Sequence, residues 1–260
     1  MKRILIGVTV AGIIGLSFIG YSKKISLAKE IKSVTGSFAP VAVLELFTSE
    51  GCSSCPSADK LLPQLIKMDL NIIALSFHVD YWNRLGWTDP FSSSEYSDRQ
   101  RLYSRQLNLE NIYTPQLVVN GEYEFVGSNR SKAESVIKNV LKEKALVKLN
   151  VQNVKIIDDK LYFTINAVGE YSKTNLLAAL VQKQVTMNVK SGENSGARLT
   201  HTNVVRTLAL QSATVKNEFE LSIPKDLHGD QWQLVVFAQQ KADLKITGAV
   251  LYNPDNKLAY

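Results

Sequence analysis

The run Val41-Ala-Val-Leu-Glu-Leu-Phe47-Thr-Ser-Glu-Gly51-Cys52-Ser-Ser-Cys55-Pro56 joins a nearly continuous apolar segment to two cysteines and a proline. The apolar part predicts a short strand buried on both faces. From Pro56 to Met68 the leucines Leu61, Leu62 and Leu65, with Ile66, fall on one side, which predicts a helix. The cysteine pair therefore sits at a helix start. There, unsatisfied N–H groups and the positive end of the helix dipole stabilise a thiolate. Pro56 suits an early helical position, where a missing N–H costs nothing. Two intervening residues let both sulfurs meet across the first turn. In this reading Cys52 is an exposed attacking thiol and Cys55 the shielded thiol that resolves a mixed disulfide.

Working outward, Asn71 to Phe77 predicts a second buried strand. Ser92-Ser-Ser-Glu95 is a capping box that opens a polar amphipathic helix through about Leu107. Gln116 to Val119 and Glu122 to Val126 predict strands joined by Asn120-Gly121, a hairpin signal. Ser131-Lys-Ala-Glu134 caps a closing helix with Val136, Ile137, Val140 and Leu141 on its inner face. The order β-α-β-insert-α-β-β-α predicts a mixed sheet with flanking helices over residues 41–146. Beyond Leu146 the pattern turns to period two, in Lys148 to Val154, Lys160 to Val168, Glu218 to Ile223 and Gln233 to Ala238. That texture predicts an all-β, sandwich-like domain over 147–254, followed by a tail at 255–260. Leu176 to Gln184 scores as helix or as central strand.

The chain has 260 residues, 45% hydrophobic and 21% charged, which excludes a disordered or multi-span membrane protein. Its net charge of +6 is concentrated at the start: Lys2, Arg3, Lys23 and Lys24 stand among the first 28 residues without an acid. The remainder is nearly neutral, so no nucleic-acid partner is expected. Lys2-Arg3 before the uncharged stretch Ile4 to Ser22 predicts an export signal in residues 1–28, with 29–40 as linker. Nineteen uncharged residues also reach the length of a membrane anchor, so cleaved and anchored forms both stand. Either places the body outside the cytoplasm, periplasmic or secreted in the bacterial manner, where disulfides persist.

Three chemistries compete for Cys52 and Cys55: thiol–disulfide exchange, an inert structural disulfide, and a metal site. Zinc needs four ligands, and the chain offers only His78, His201 and His228 beside the pair. No metal, and no cofactor of any kind, is expected. Thr114-Pro115 puts proline at the head of the strand Gln116 to Asn120, where by itself it marks an edge stop.

Residues 41–145 resemble the thioredoxin fold, through CxxC at the first helix, a later Thr-Pro before a hairpin, and a closing helix. More closely, the strings ELFTSEGCSSCPSADKLLPQL, ALSFHVDYWNRLGWTDPF, YTPQLVVNGEYEFVGS and HTNVVR resemble the exported family catalogued as domain of unknown function 1223. The thioredoxin resemblance implies a thioredoxin-like domain that exchanges disulfides with protein or small-molecule thiols, recycled by a membrane-bound redox partner. In that family a proline loop faces the reactive sulfur, so the resemblance gives Thr114 and Pro115 the substrate strand. It also places a buried acid near the shielded thiol, and Glu45 matches that position; a strand-edge carboxylate in water is the alternative. The chain departs from thioredoxin in lacking a Trp beside the first cysteine and in its longer insert. Redox potential and reaction direction therefore do not carry over.

His78 ends the second strand, at the sheet edge where open α/β folds place ligands. It is a candidate to tune or protonate a thiol with Asp80 orienting it, or a structural histidine anchoring the insert. Trp82 belongs to an insert with four aromatics in eleven residues, a substrate platform or plain packing. Glu50 reads as a loop charge in water, and Arg99, Arg101 and Arg105 as a solvated helix face. His201, Asn203 and Arg206 are candidates for a contact between the halves near the thiols, or for ordinary packing.

Overall fold

Strand formation follows the most apolar runs. In the computed structural model, which describes residues 38–229 and 231–255, β1 (Ala42–Thr48) and β2 (Ile72–His78) pair in parallel, Ala42 opposite Ile72 and Thr48 opposite His78. Every residue of both strands is buried. Between them lies α1 (Cys55–Ile66); after β2 come a 3₁₀ turn at Asn83–Leu85 and α2 (Ser94–Gln106). β3 (Gln116–Val119) and β4 (Tyr123–Val126) form the expected hairpin, and α3 (Arg130–Val140) follows. Residues 1–28, read above as an export signal, lie outside the described residues. No described helix is long and apolar enough to cross a membrane.

Two helix starts differ from expectation by one or two residues. Ser93, in extended conformation, caps α2 by accepting the Glu95 N–H at 3.2 Å. Asn129, not Ser131, caps α3 by accepting from the Lys132 N–H at 3.1 Å. An Asn side chain reaches the same orphan donors as a Ser hydroxyl, so either residue fits the pattern.

The second half contributes β5 (Val147–Ile157), β6 (Lys160–Gly169), β7 (Thr174–Asn188), β8 (Arg198–Ser212), β9 (Asn217–Ser222), β10 (Trp232–Gln240) and β11 (Ile246–Tyr252). Eight strands make one mixed sheet in the order β11-β10-β7-β8-β2-β1-β3-β4, and β5-β6-β9 make a small second sheet. β8 joins β2 in parallel at Ser76 and Val204, so the large sheet crosses the point near Leu146 where the periodicity changes.

The faces of the large sheet explain the segment Leu176 to Gln184. Leu177, Ala179 and Val181 point into a core shared with Val43, Phe47, Phe77 and Tyr103. Leu176, Ala178 and Leu180 point the other way, onto Leu149, Leu161 and Phe163 of the small sheet. A run apolar at every position fits a strand covered on both faces. The small sheet packs face to face on this part of the large one, giving a two-layered β region.

α1 and α3 cover the rest of the face that carries the small sheet, burying Ala58, Leu62, Leu65, Ala133 and Ile137 against Leu44, Leu46 and Leu117. α2 packs on the opposite face. The Asn120-Gly121 turn has φ of 48° and 72°, the left-handed pair that a two-residue hairpin demands. A Cβ on Gly121 would lie 2.1 Å from the Leu244 carbonyl oxygen. Only glycine permits that close approach of the two halves.

Candidate functional site

The chain leaves β1 at Thr48, makes a tight loop and enters α1 at Cys55. Gly51 N–H donates to Ser49 Oγ at 3.1 Å, Cys52 N–H to the Ser49 carbonyl at 3.2 Å, and Cys55 N–H to the Cys52 carbonyl at 3.2 Å. The last of these satisfies a donor that the start of α1 leaves open, and the other two close the loop before it. They bring Cys52 and Cys55 into a disulfide with Cα atoms 5.4 Å apart.

Both cysteines are fully buried, at 0% exposure. This corrects the expectation that Cys52 is exposed. Ser53 and Ser54 meet solvent instead, because the outer side of the loop carries the serines while both sulfurs turn inward.

The proline loop lies against this motif. Ser54 Oγ is 3.3 Å from Cys52 Sγ and donates to the Thr114 carbonyl at 3.4 Å. The Thr114–Pro115 peptide bond is cis. Trp82 Nε1 donates to Thr114 Oγ1 at 2.8 Å, and a Cβ on Gly51 would lie 3.1 Å from Trp82 Cβ. Trp82, Thr114 and the cysteine loop therefore meet, and Trp82 is half-buried there.

Glu45 is elsewhere. It lies between Val43 and Phe47 on the face opposite α1, at 0% exposure. Arg99 Nε donates to its Oε2 at 2.5 Å, Arg99 Nη2 to its Oε1 at 2.9 Å, and the Tyr103 hydroxyl also donates to Oε1. The reading of Glu45 as a carboxylate beside Cys55 is thereby corrected: strand alternation sends it to the other side of the sheet. The reading of Arg99 as solvated is corrected too. Arg99 has Phe77, Tyr103 and Phe237 rings within 5.0–5.6 Å of its guanidinium. Tyr96, Arg99, Gln100 and Tyr103 form the inward stripe of α2, a spacing visible in the sequence.

The acids on the cysteine side are Asp59, Glu50 and Asp89. Asp59 stands one helical turn after Cys55 on the buried face of α1 and accepts from Thr48 Oγ1 at 3.0 Å. Glu50, read as solvated, is at 0% exposure, accepting from Trp87 Nε1 at 2.8 Å. His201, delivered by β8, stands between them. Its Nε2 is 3.3 Å from Glu50 Oε1 and its Nδ1 is 3.4 Å from Asp59 Oδ2. The second is an ion contact rather than an aligned hydrogen bond, for Asp59 Oδ2 and His201 Nδ1 both lack a hydrogen-bond partner. Burial alone would depress the His201 pKa, but the two carboxylates outweigh it and push it up to about 10. His201 is therefore an imidazolium at neutral pH.

His78 is also at 0% exposure, 4.6 Å from the His201 ring centroid and nearly perpendicular to it. Its partner is Asp89, not Asp80: Nδ1 lies 2.7 Å from Asp89 Oδ2. Asp80 instead accepts from the Ser97 hydroxyl. Burial raises the Asp89 pKa, but His78 and the backbone N–H groups of Glu50 and Phe91 outweigh it and hold the carboxyl below its usual range. An ionised Asp89 accepts a hydrogen bond from His78 Nδ1–H, and Nε2 is buried without a partner. Asp59 was legible as a carboxylate four residues after Cys55, on the apolar stripe. Asp89 lies in an irregular segment with no periodic signal.

Among the described residues, no group of three or more His, Cys, Asp or Glu side chains has the geometry to hold a metal ion. Asn203 donates to the Ala74 carbonyl at 3.0 Å, while Arg206 pairs with Asp226 and Gln182 and lies over the Phe91 ring.

An X-ray structure of an Agrobacterium tumefaciens protein is similar to this chain at a TM-score of 0.64 and 26% identity, covering 86% of this chain and 99% of the other. A domain of the outer membrane lipoprotein Omp28 from Porphyromonas gingivalis matches at a TM-score of 0.27 and 11% identity, covering 42% of this chain and 88% of its own. No curated protein matches the chain significantly. The family described as Protein of unknown function (DUF1223) matches residues 43–239, more than half of the sequence, and the chain belongs to that family.

Proposed function

We propose that this protein is an exported thiol–disulfide oxidoreductase with a thioredoxin-like first half. The observation that carries the reading is the Cys52–Cys55 bond at the first turn of α1, with Ser54 bridging Cys52 Sγ to the Thr114 carbonyl. An incoming thiolate attacks Cys52 Sγ, the bond to Cys55 breaks, and Cys55 leaves as a thiolate that takes up a proton. In the reverse direction, where the Cys55 thiol gives up its proton, His78 held by Asp89 is the base this reading assigns. Thr114, Pro115 and Trp82 line the side from which a substrate strand approaches. The substrates are protein or small-molecule thiols and disulfides, with a membrane-bound redox protein as recycling partner outside the cytoplasm.

The test is the reduction potential of the pair, measured by native-state equilibration against dithiothreitol and glutathione buffers. Reversible titration within the range of known exchange proteins supports the proposal. A pair that resists reduction until the protein unfolds overturns it.

A second reading is favoured by one observation, the complete burial of both cysteines. In it Cys52–Cys55 is a locked structural disulfide and the protein is a binding module. Resistance to reduction in the native state is its signature.

A further inference from the structure

We infer that the tip of the β7–β8 hairpin, residues 190–196, is a gate over Cys52, and that Asn194 is the specificity-determining residue that holds it shut. The inference rests on the exchange reading above and explains how a fully buried pair meets a partner.

Three strands of observation lead to it. Asn194 Nδ2 donates to the Glu50 carbonyl at 2.8 Å and to the Cys52 carbonyl at 2.9 Å, so one amide fastens the tip to both ends of the loop. Glu193 Oε2 accepts the Ser53 N–H at 3.1 Å, and the Ser191 hydroxyl donates to the Gly86 carbonyl. The tip also lies flush on the insert, since a Cβ on Gly192 would come 3.2 Å from Trp87 Cβ.

The tip is fastened by polar contacts and buries no apolar side chain of its own. Its sequence, Lys190-Ser-Gly-Glu-Asn-Ser-Gly196, contains no apolar side chain to bury. Each of its hydrogen bonds exchanges readily for one to water. The stem behaves differently: Val189, Leu199 and His201 are buried, and β7 pairs with β8 out to Asn188 and Arg198. Gly192 and Gly196 hold φ of 77° and 81°. A polar tip on a buried stem is the arrangement of a segment that opens locally without unfolding its base.

Lifting the tip frees two carbonyls, those of Glu50 and Cys52, and one donor, the Ser53 N–H. These groups match the donors and acceptors of an extended polypeptide segment. A polypeptide that replaces the Asn194 and Glu193 bonds gains access to Cys52, whereas a small thiol waits for spontaneous opening. Glu193 remains an anion here, because the Ser53 hydroxyl and N–H hold its carboxyl below its usual range.

The experiment is the rate of native-state reduction by dithiothreitol, for wild type, Asn194→Ala and Leu161→Ala. One reagent thiolate attacks Cys52 Sγ and Cys55 leaves with the electron pair. The second reagent thiolate then closes the cyclic disulfide and releases Cys52. Loss of two hydrogen bonds predicts reduction about tenfold faster in Asn194→Ala, at an unchanged redox equilibrium. Leu161→Ala empties part of the small-sheet core and destabilises the fold far from the site. It should leave the rate as in wild type.

Equal acceleration in both variants means that reduction runs through unfolding, and overturns the gate. A wild-type rate equal to that of an open model disulfide overturns the gate while leaving the exchange reading intact. No reduction of any variant below its unfolding transition overturns both.

Discussion

His201 Nε2 lies 3.3 Å from Glu50 Oε1 across 151 residues of chain, and the same ring touches Asp59 on its other side. One imidazolium thus ties the loop before Cys52 to the helix after Cys55. A charge this deep persists only when it is paired, and here two carboxylates pair it.

The pairing sets a pH dependence. The His201 pKa is about 10 in the fold against an ordinary value of 6.5. Its contribution to stability is complete below the lower value and is lost as pH rises through the higher one, by roughly 1 kcal/mol per pH unit. Urea unfolding across that window should show the decline in wild type and a flatter profile in His201→Gln. An equally steep profile in the variant would assign the effect to other groups.

Asp89→Asn tests the orientation of His78. The amide replaces the charged partner of His78 Nδ1 by a neutral one, so the hydrogen bond that fixes the ring is weakened. Thiol exchange at neutral pH should slow by about 100-fold, the usual contribution of a positioned base. Stopped-flow reaction of the reduced protein with a disulfide reagent measures this. An unchanged rate would leave the Asp89–His78 pair a purely structural contact.

Arg99→Met tests the role of Glu45. It strands a buried carboxylate and should destabilise the protein by about 3–5 kcal/mol. Because Glu45 is on the opposite face of the sheet, the reduction potential of the cysteine pair should not move. A shifted potential would return Glu45 to the site.

Gly121→Ala places a methyl against the Leu244 carbonyl at a left-handed φ. The expected loss is about 2 kcal/mol or more, read as a lowered midpoint of thermal unfolding. A neutral effect would mean that the contact between the β3–β4 turn and Leu244 is loose.

Much of the first half could be read directly from the chain. β3 falls on the predicted residues, while α1, β1 and β2 fall within two residues of expectation, because apolar runs, helical spacing and turn chemistry are local signals. Asn120-Gly121 named its turn because few other pairs adopt two left-handed residues. The same locality explains the misreadings. Glu50 and Arg99 look solvated beside polar neighbours, and only Trp87, His201 and Glu45, distant in sequence, bury them.

Local pattern, then, determined the secondary elements, the placement of two cysteines at a helix start, and their reach for one another. It had no access to the pairing of β2 with β8, which extends one sheet through both halves and carries His201 beneath the cysteine loop. Nor did it foresee the β7–β8 tip that closes over Cys52. Propensity and periodicity act within a few residues. Burial, and the ionisation of buried groups, depend on which distant segments arrive alongside, and that was decided by the packing of the whole sheet.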